Sequence, residues 1–442
     1  MGVILMTTTV AVDHKLYTLP QCSDDVIPVQ IYGLDGRQQG NIATIGNPLI
    51  DPIKRLGIRI SSTEFDFMTI ALAVTAADTF VQRKTSADGW TRDIKLQVSL
   101  HQPTIWQSQK ETLEKALHFL SGDLWNLEIK AGGYAPPNPY TRRQRYRLIR
   151  LRERNCISLF SGGLDSAIGA INFIEDGHIP LLVSHAYKGD KSHQDNITRK
   201  LLGRFSRFSV NANPLAANGK TDITMRTRSL NFLAFGAVGA YALSRANNLD
   251  GVQFFVPENG FISLNPPLTA RRIGSLSTRT THPYFFSLMQ SVFDAVGIKV
   301  TIVNPYQFKT KGEMLRECKN QNILKEIVSS TVSCSKWKRK RQQCGKCVPC
   351  IIRRAALMAS GIPELISYEH QDLTITMGDP GSRDDLFALI IAIQKLSSTN
   401  ISNWISDSGS LSYEAEIQDK YKQVFIRGMR EVENFLHSEG VI

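Results

Sequence analysis

Ser161-Gly162-Gly163-Leu164-Asp165-Ser166 follows directly on the apolar run Cys156-Ile157-Ser158-Leu159-Phe160 and leads into Ala167 to Ile174, which stops near Gly177. A strand, a glycine turn and a helix start make the setting a phosphate group needs. Two glycines let the backbone bring its N–H groups close to an anion, and the helix N-terminus adds partial positive charge. The hydroxyls of Ser161 and Ser166 supply further donors, and Asp165 is suited to hold Mg²⁺ or to orient the loop. A plain strand-to-helix turn would also use a glycine pair; the full S-G-G-x-D-S text in this setting favours the anion site. The spacing G-x-x-x-x-G-K-[ST] of a Walker loop is missing.

A second constellation is Cys334-x9-Cys344-x2-Cys347-x2-Cys350. Two C-x-x-C gaps let neighbouring thiolates share one tetrahedral Zn²⁺, and four protein ligands leave no open position, so the metal is expected to be structural. Gly345 permits the tight turn and Pro349 stiffens it. A redox C-x-x-C or an iron–sulfur cluster is the competing account. Four of the seven cysteines crowd here while Cys22, Cys156 and Cys318 are scattered, which suits a reducing compartment better than a disulfide framework.

The elements that must position these groups fall into four segments. Residues 1–140 read as an α+β module, with a strand in Ile94 to Leu100 and helical spacing from Ser108 to Leu120. Ala131-Gly132-Gly133-Tyr134-Ala135-Pro136-Pro137-Asn138-Pro139 breaks both periodicities and sets the first boundary. Residues 155–330 alternate short apolar runs with helical segments; 156–160, 180–184, 252–256 and 299–303 look like buried strands of a parallel sheet, a doubly wound α/β domain. The cysteine segment spans 331–360. Residues 361–442 are a helical C-terminal region, with amphipathic stretches in 386–396 and 413–436.

At 442 residues with 42% hydrophobic and 21% charged residues, the chain can build several cores, so disordered and fibrous classes are excluded. Its first residues lack a cationic leader, a cleavage site and a myristoylation hydroxyl, and no apolar run reaches ~20 residues, so a soluble cytoplasmic chain with no membrane partner is expected. The net charge of +12 is clustered, with seven arginines from Arg142 to Arg154 and five basic residues from Lys336 to Arg341. Such runs fit a nucleic acid or an acidic protein surface as partner, or a solvated linker and loop.

The glycine motif resembles the PP-loop ATP-pyrophosphatases, whose members cleave ATP between the α and β phosphates and pass AMP to a substrate oxygen. Combined with Ser333-Cys334 and Cys344-Gly345-Lys346-Cys347-Val348-Pro349-Cys350, it resembles the 7-cyano-7-deazaguanine synthase (QueC-like) family over about residues 155–360. Arg228-Ser229-Leu230-Asn231-Phe232-Leu233 is similar to the family's R-N-x-x-F-L helix start, and Lys311 in Thr310-Lys311-Gly312-Glu313 resembles its lysine before the zinc segment. The text departs where the family has H-x-Y-G-Q-R-H: here His185, Tyr187, Gly189 and His193 stand without the glutamine–arginine pair. Pro257-Glu258-Asn259-Gly260-Phe261 and Arg279-Thr280-Thr281-His282-Pro283 replace its aspartate-rich region. The extended N-terminus resembles QatC-like proteins of bacterial anti-phage operons, which implies an operon-encoded partner protein.

The resemblance implies a Rossmann-type PP-loop fold that uses ATP, Mg²⁺ and Zn²⁺ to adenylate a carboxylate such as 7-carboxy-7-deazaguanine. Phe160, Ser161, Gly162, Gly163, Leu164, Asp165, Ser166 and His185 would contact the nucleotide. Asp165, Ser166, Lys311 and Arg228 would carry the chemistry. His185 and His282 are candidates for proton transfer, or structural histidines; Arg271, Arg272 and Arg279 could meet a carboxylate or phosphate. Two other readings compete: a tRNA-thiolating enzyme, which would need Cys318 or Cys156 as a reactive thiol, and a nucleotide-binding scaffold that docks an acidic partner.

Overall fold

The computed structural model describes residues 7–33, 40–141, 147–186, 189–222, 226–269, 278–334, 336–337 and 341–442. Arg142, Arg143, Arg145, Tyr187, Arg271, Arg272 and Lys338 to Lys340, singled out above, lie outside the described residues.

Two five-stranded sheets organise the chain. The first contains β1 (Thr7–Asp13), β2 (Val26–Ile31), β3 (Ala43–Ile45), β4 (Asp93–Leu100) and β5 (Leu124–Ala131), in the order β3-β2-β1-β4-β5. Every pairing in it is parallel. The expected α+β module is therefore a parallel α/β unit. Alternation in 94–100 identified a strand but carried no information on the direction of its partners, which crossover helices decide.

The second sheet contains β6 (Cys156–Leu159), β7 (Pro180–His185), β8 (Ser206–Val210), β9 (Val252–Phe255) and β10 (Val300–Val303), ordered β10-β9-β6-β7-β8 and also all parallel. In both sheets the first strand is central, the next two lie on one side and the last two on the other. The chain reverses its direction of strand addition between β6 and β9, the kind of crevice where such sheets bind ligands. The equivalent point of the first sheet carries no glycine loop: Ser99 Oγ donates to Asp13 Oδ2 across it at 2.6 Å.

The sheets are joined through two helices, Ser62–Phe80 and Arg228–Asn247. Phe65 to Ala77 has no exposed residue, as a helix apolar on every face requires when it is packed between layers. One hydrophobic core runs from Val10 and Phe67 through Phe235 to Phe254 and Phe293. The C-terminal helices, Asp384–Lys395 and Ala415–Ser438 among them, build a second core around Trp404 and Phe425 against Phe261 and Ile351. No helix among the described residues is long and apolar enough to cross a membrane.

Candidate active site at the glycine loop

β6 ends at Leu159 and the chain turns through Ser161-Gly162-Gly163 into the helix Leu164–Glu175. Gly162 has φ +84°, and a Cβ there would meet Gln194 Cγ at 3.0 Å. Gly163 is the N-cap and offers no capping side chain, so first-turn N–H groups keep no intrahelical acceptor. Ser166 Oγ donates to the Gly163 carbonyl at 3.0 Å and lies 3.2 Å from Ser161 Oγ. Phe160 and Leu164 are turned into the core with Ile168 and Met314; only their backbone faces the loop.

Two cavities flank this turn and share Ser161 and Arg228 in their walls. One, of about 240 Å³, lies between β6 and β9; Phe232, Leu233 and Phe286 give it apolar walls, and Ser166, Ser229, Glu258, Thr280 and Thr281 give it polar ones. The other, of about 280 Å³, lies over Gly162 and Gly163 and is closed by Asp190, His193, Ser333 and Trp337. Arg228 opens the helix Arg228–Asn247 and pairs with Asp190 at 3.4 Å. It is the guanidinium common to both spaces.

Asp165 does not face either cavity. Its Oδ2 accepts from the Asn259 N–H at 3.1 Å and from Asn259 Nδ2 at 2.7 Å, and its Oδ1 is bonded to Lys311 Nζ. Burial opposes ionisation of this carboxyl, but the Lys311 ammonium, with hydrogen bonds from Glu258 and Asn259, holds it down at about 2. Burial, followed by the Asp165 charge, pushes Glu258 well above its ordinary value, so Glu258 is the member of the pair that keeps a proton. Of the two roles open to Asp165, this geometry fits orienting the loop. Lys311, 4% exposed, is likewise directed at Asp165.

The turn that carries Lys311 is braced from several sides. Thr310 and Glu313 form a reciprocal capping box. Arg427 Nε donates to Glu313 Oε1 at 2.6 Å, and Glu431 Oε2 accepts from the Gly312 N–H at 3.2 Å. The C-terminal helix thus fixes the Lys311 turn. Glu258, Asn259 and Glu431 escaped the sequence reading because nothing local marks them: Asn259 is 94 positions from Asp165. The replaced segment 257–261 was the only available signal.

The histidines take structural places. His185 is fully buried, edge-on to Phe232 and Phe235, and its Nε2 accepts from the Ala212 N–H at 3.2 Å. His282 caps the helix Pro283–Val296: Nδ1 accepts from the Tyr284 N–H at 3.1 Å and Nε2 lies 3.2 Å from Ser408 Oγ. Burial, then the Arg279 charge, lowers His282 to about 3, leaving it neutral. Arg279 stacks 5.0 Å over Phe119 of the first sheet's unit and donates to the Phe119 carbonyl at 3.3 Å. It buttresses the Thr280–Thr281 wall from the N-terminal side.

The four cysteines come together as the spacing required. Cys334, Cys344, Cys347 and Cys350 are all buried, and their sulfurs lie within 4.8 Å of one another. Cys344 and Cys350 Sγ are 3.9 Å apart, close to the ~3.8 Å expected for two thiolates on one tetrahedral zinc and far from a disulfide bond. The Cys344 N–H points at Cys334 Sγ at 3.3 Å and the Cys347 N–H at Cys344 Sγ at 3.3 Å, which favours the thiolate form a metal needs. The donor set fits Zn²⁺. The site is tied to the glycine loop by one backbone bond, from the Val332 N–H to the Gly162 carbonyl at 3.2 Å.

Residues 281–361 match the family model described as Queuosine biosynthesis protein QueC. The match covers less than a fifth of the chain; it takes in His282, Lys311 and all four cysteines and stops short of the glycine loop. No curated protein sequence matches the chain.

Proposed function

We propose that this chain is an adenylate-forming enzyme of the QueC-like type that activates a carboxylate with ATP. The observation that carries the reading is the S-G-G-x-D-S loop at the point where strand addition reverses, with Arg228 in the walls of both flanking cavities. A substrate carboxylate oxygen attacks the α-phosphorus of ATP, the bond to the β-phosphate oxygen breaks, and pyrophosphate leaves toward the N–H groups and hydroxyls of Ser161 to Ser166. Arg228 neutralises charge that develops on the phosphates. A phosphate-bound Mg²⁺ would supply further neutralisation, and Asp190 is the cavity carboxylate that would hold it, since Asp165 is committed to Lys311 and Asn259 and Glu258 keeps its proton.

The cavity between β6 and β9 pairs aromatic walls with hydroxyls and a protonated Glu258, which suits a flat polar heterocycle such as 7-carboxy-7-deazaguanine. An amine then displaces AMP and gives up a proton. Ammonia would yield an amide, and a second activation a nitrile; the N-terminal amine of an operon-encoded partner protein would yield a conjugate. The resemblance of the extended N-terminus to QatC-like proteins supports a role in anti-phage defence.

The thiolating reading loses its candidate nucleophiles. Cys318 and Cys156 are both buried, and burial raises the first to about 11 and the second to about 12, the reverse of what a reactive thiol needs.

Isotope exchange tests the first half-reaction. Labelled pyrophosphate should enter ATP only when the carboxylate is present, and Arg228→Ala should lower that exchange ~100-fold, in keeping with loss of one preorganised charge-stabilising group. Exchange that ignores the carboxylate, or ATP binding with no exchange, would count against adenylation.

A further inference from the structure

Arg228 reaches both cavities from the first residue of its helix, and the groups that fix this helix start belong to the first sheet's unit. Thr227, 1% exposed, donates from its N–H and its Oγ1 to Asp78 Oδ2 at 3.3 and 3.0 Å. Asp78 Oδ1 accepts from Arg92 Nη2 at 2.6 Å, and the same nitrogen reaches Asp123 Oδ2 at 2.6 Å. Arg83 grips Asp123 at two points, 2.9 and 2.8 Å. One turn into the helix, Asn231 Nδ2 donates to Thr75 Oγ1 at 2.6 Å.

Two carboxylates and three guanidiniums, the third from Arg226 beside Thr227, are therefore sunk into the junction, none more than 8% exposed. Burying charge is costly, and an apolar contact of equal volume holds two units together at least as well. What such a network adds is one defined arrangement. An anchor that accepts both Thr227 donors leaves little freedom for the residue that follows.

We propose that Asp78 is a positioning residue for the adenylation site: by holding Thr227 it sets where the Arg228 guanidinium stands, and the N-terminal unit is thereby a fixed part of the active site. The proposal rests on the reading above, in which Arg228 meets the anionic substrate. It gives the N-terminal unit a role within the chain itself.

The test is a double-mutant cycle on the full-length protein, read by pyrophosphate release and by amide hydrogen exchange without ligands. Asp78→Asn and the milder Thr227→Val should each speed exchange across 227–232. Each should lower kcat/KM for ATP ~10-fold or more, as small misplacements of a charged group do. In an Arg228→Ala background the same changes should cost less than about twofold, because two residues acting through one group are not additive. Equal losses in both backgrounds would overturn the proposal, since they would mark a general folding defect, and so would unchanged exchange at 227–232. If the unaltered protein released no pyrophosphate, the adenylation reading would fall, and the exchange rates would still decide whether Asp78 holds the helix start.

Discussion

Lys311→Met should abolish turnover and lower stability by ~3 kcal/mol or more, because removing one partner of a buried ion pair leaves the other charge uncompensated. The stranded group is Asp165, fully enclosed with Glu258 and Asn259 beside it. Adding Asp165→Asn in the same chain removes that charge. The double variant should recover most of the lost stability and none of the turnover, since the glycine loop would still lack the Lys311–Asp165 strut. Chemical denaturation and pyrophosphate release measure the two sides; a double variant as unstable as Lys311→Met would refute the ion-pair account.

The same cluster fixes a pH dependence. Asp165 ionises at about 2 in the folded chain, below its ordinary 3.8, so its contribution to stability is present at neutral pH and fades as pH falls through that window. Glu258 is shifted the other way. The folded state keeps a proton that the unfolded chain releases above pH ~4.5, so this group makes stability fall as pH rises from there toward its folded value. Glu258→Gln should flatten that fall above pH ~4.5.

Metal removal is expected to be the second large effect. The protein as purified should hold one zinc per chain, and Cys347→Ser should hold less than about a tenth of that, because a three-thiolate remnant loses most of the ~10–16 kcal/mol of apparent affinity that structural zinc sites reach. Zinc analysis reads this directly. Iron content with visible absorption would replace the zinc account with the cluster account. Because the Val332 N–H holds the Gly162 carbonyl, the metal-depleted protein should also exchange amides faster across 161–166, where a site isolated from the loop would leave them unchanged.

The legible parts of this protein are those written locally. β6, β7 and β9 show as apolar runs because central parallel strands are covered by helices; β10, at the sheet's edge, shows because Val300, Ile302 and Val303 are apolar although only Val300 is buried. The glycine loop and the four cysteines show because their spacing is itself the chemistry. β8, Ser206-Arg207-Phe208-Ser209-Val210, buries only Phe208 and Val210 at the sheet's edge and left no such run. β3 has three residues and β2 carries Pro28 within it, so neither resembles a strand in isolation. The remaining determinants are long-range: Lys311 is 146 positions from Asp165, and Asp78 is 149 from Thr227. Periodicity cannot bring such pairs together. His185 and His282 stand out by residue type alone, which cannot show that packing encloses both rings.

The central claim is best tested by AMP and pyrophosphate release from Mg·ATP with 7-carboxy-7-deazaguanine, comparing the unaltered protein with Asp165→Ala, with and without an amine source. Adenylation predicts equal amounts of AMP and pyrophosphate, formed only with the carboxylate and lost in Asp165→Ala, with mass spectrometry identifying the acylated amine. ATP that binds but yields neither product under any of these conditions would contradict it and leave a nucleotide-binding scaffold as the account of this site.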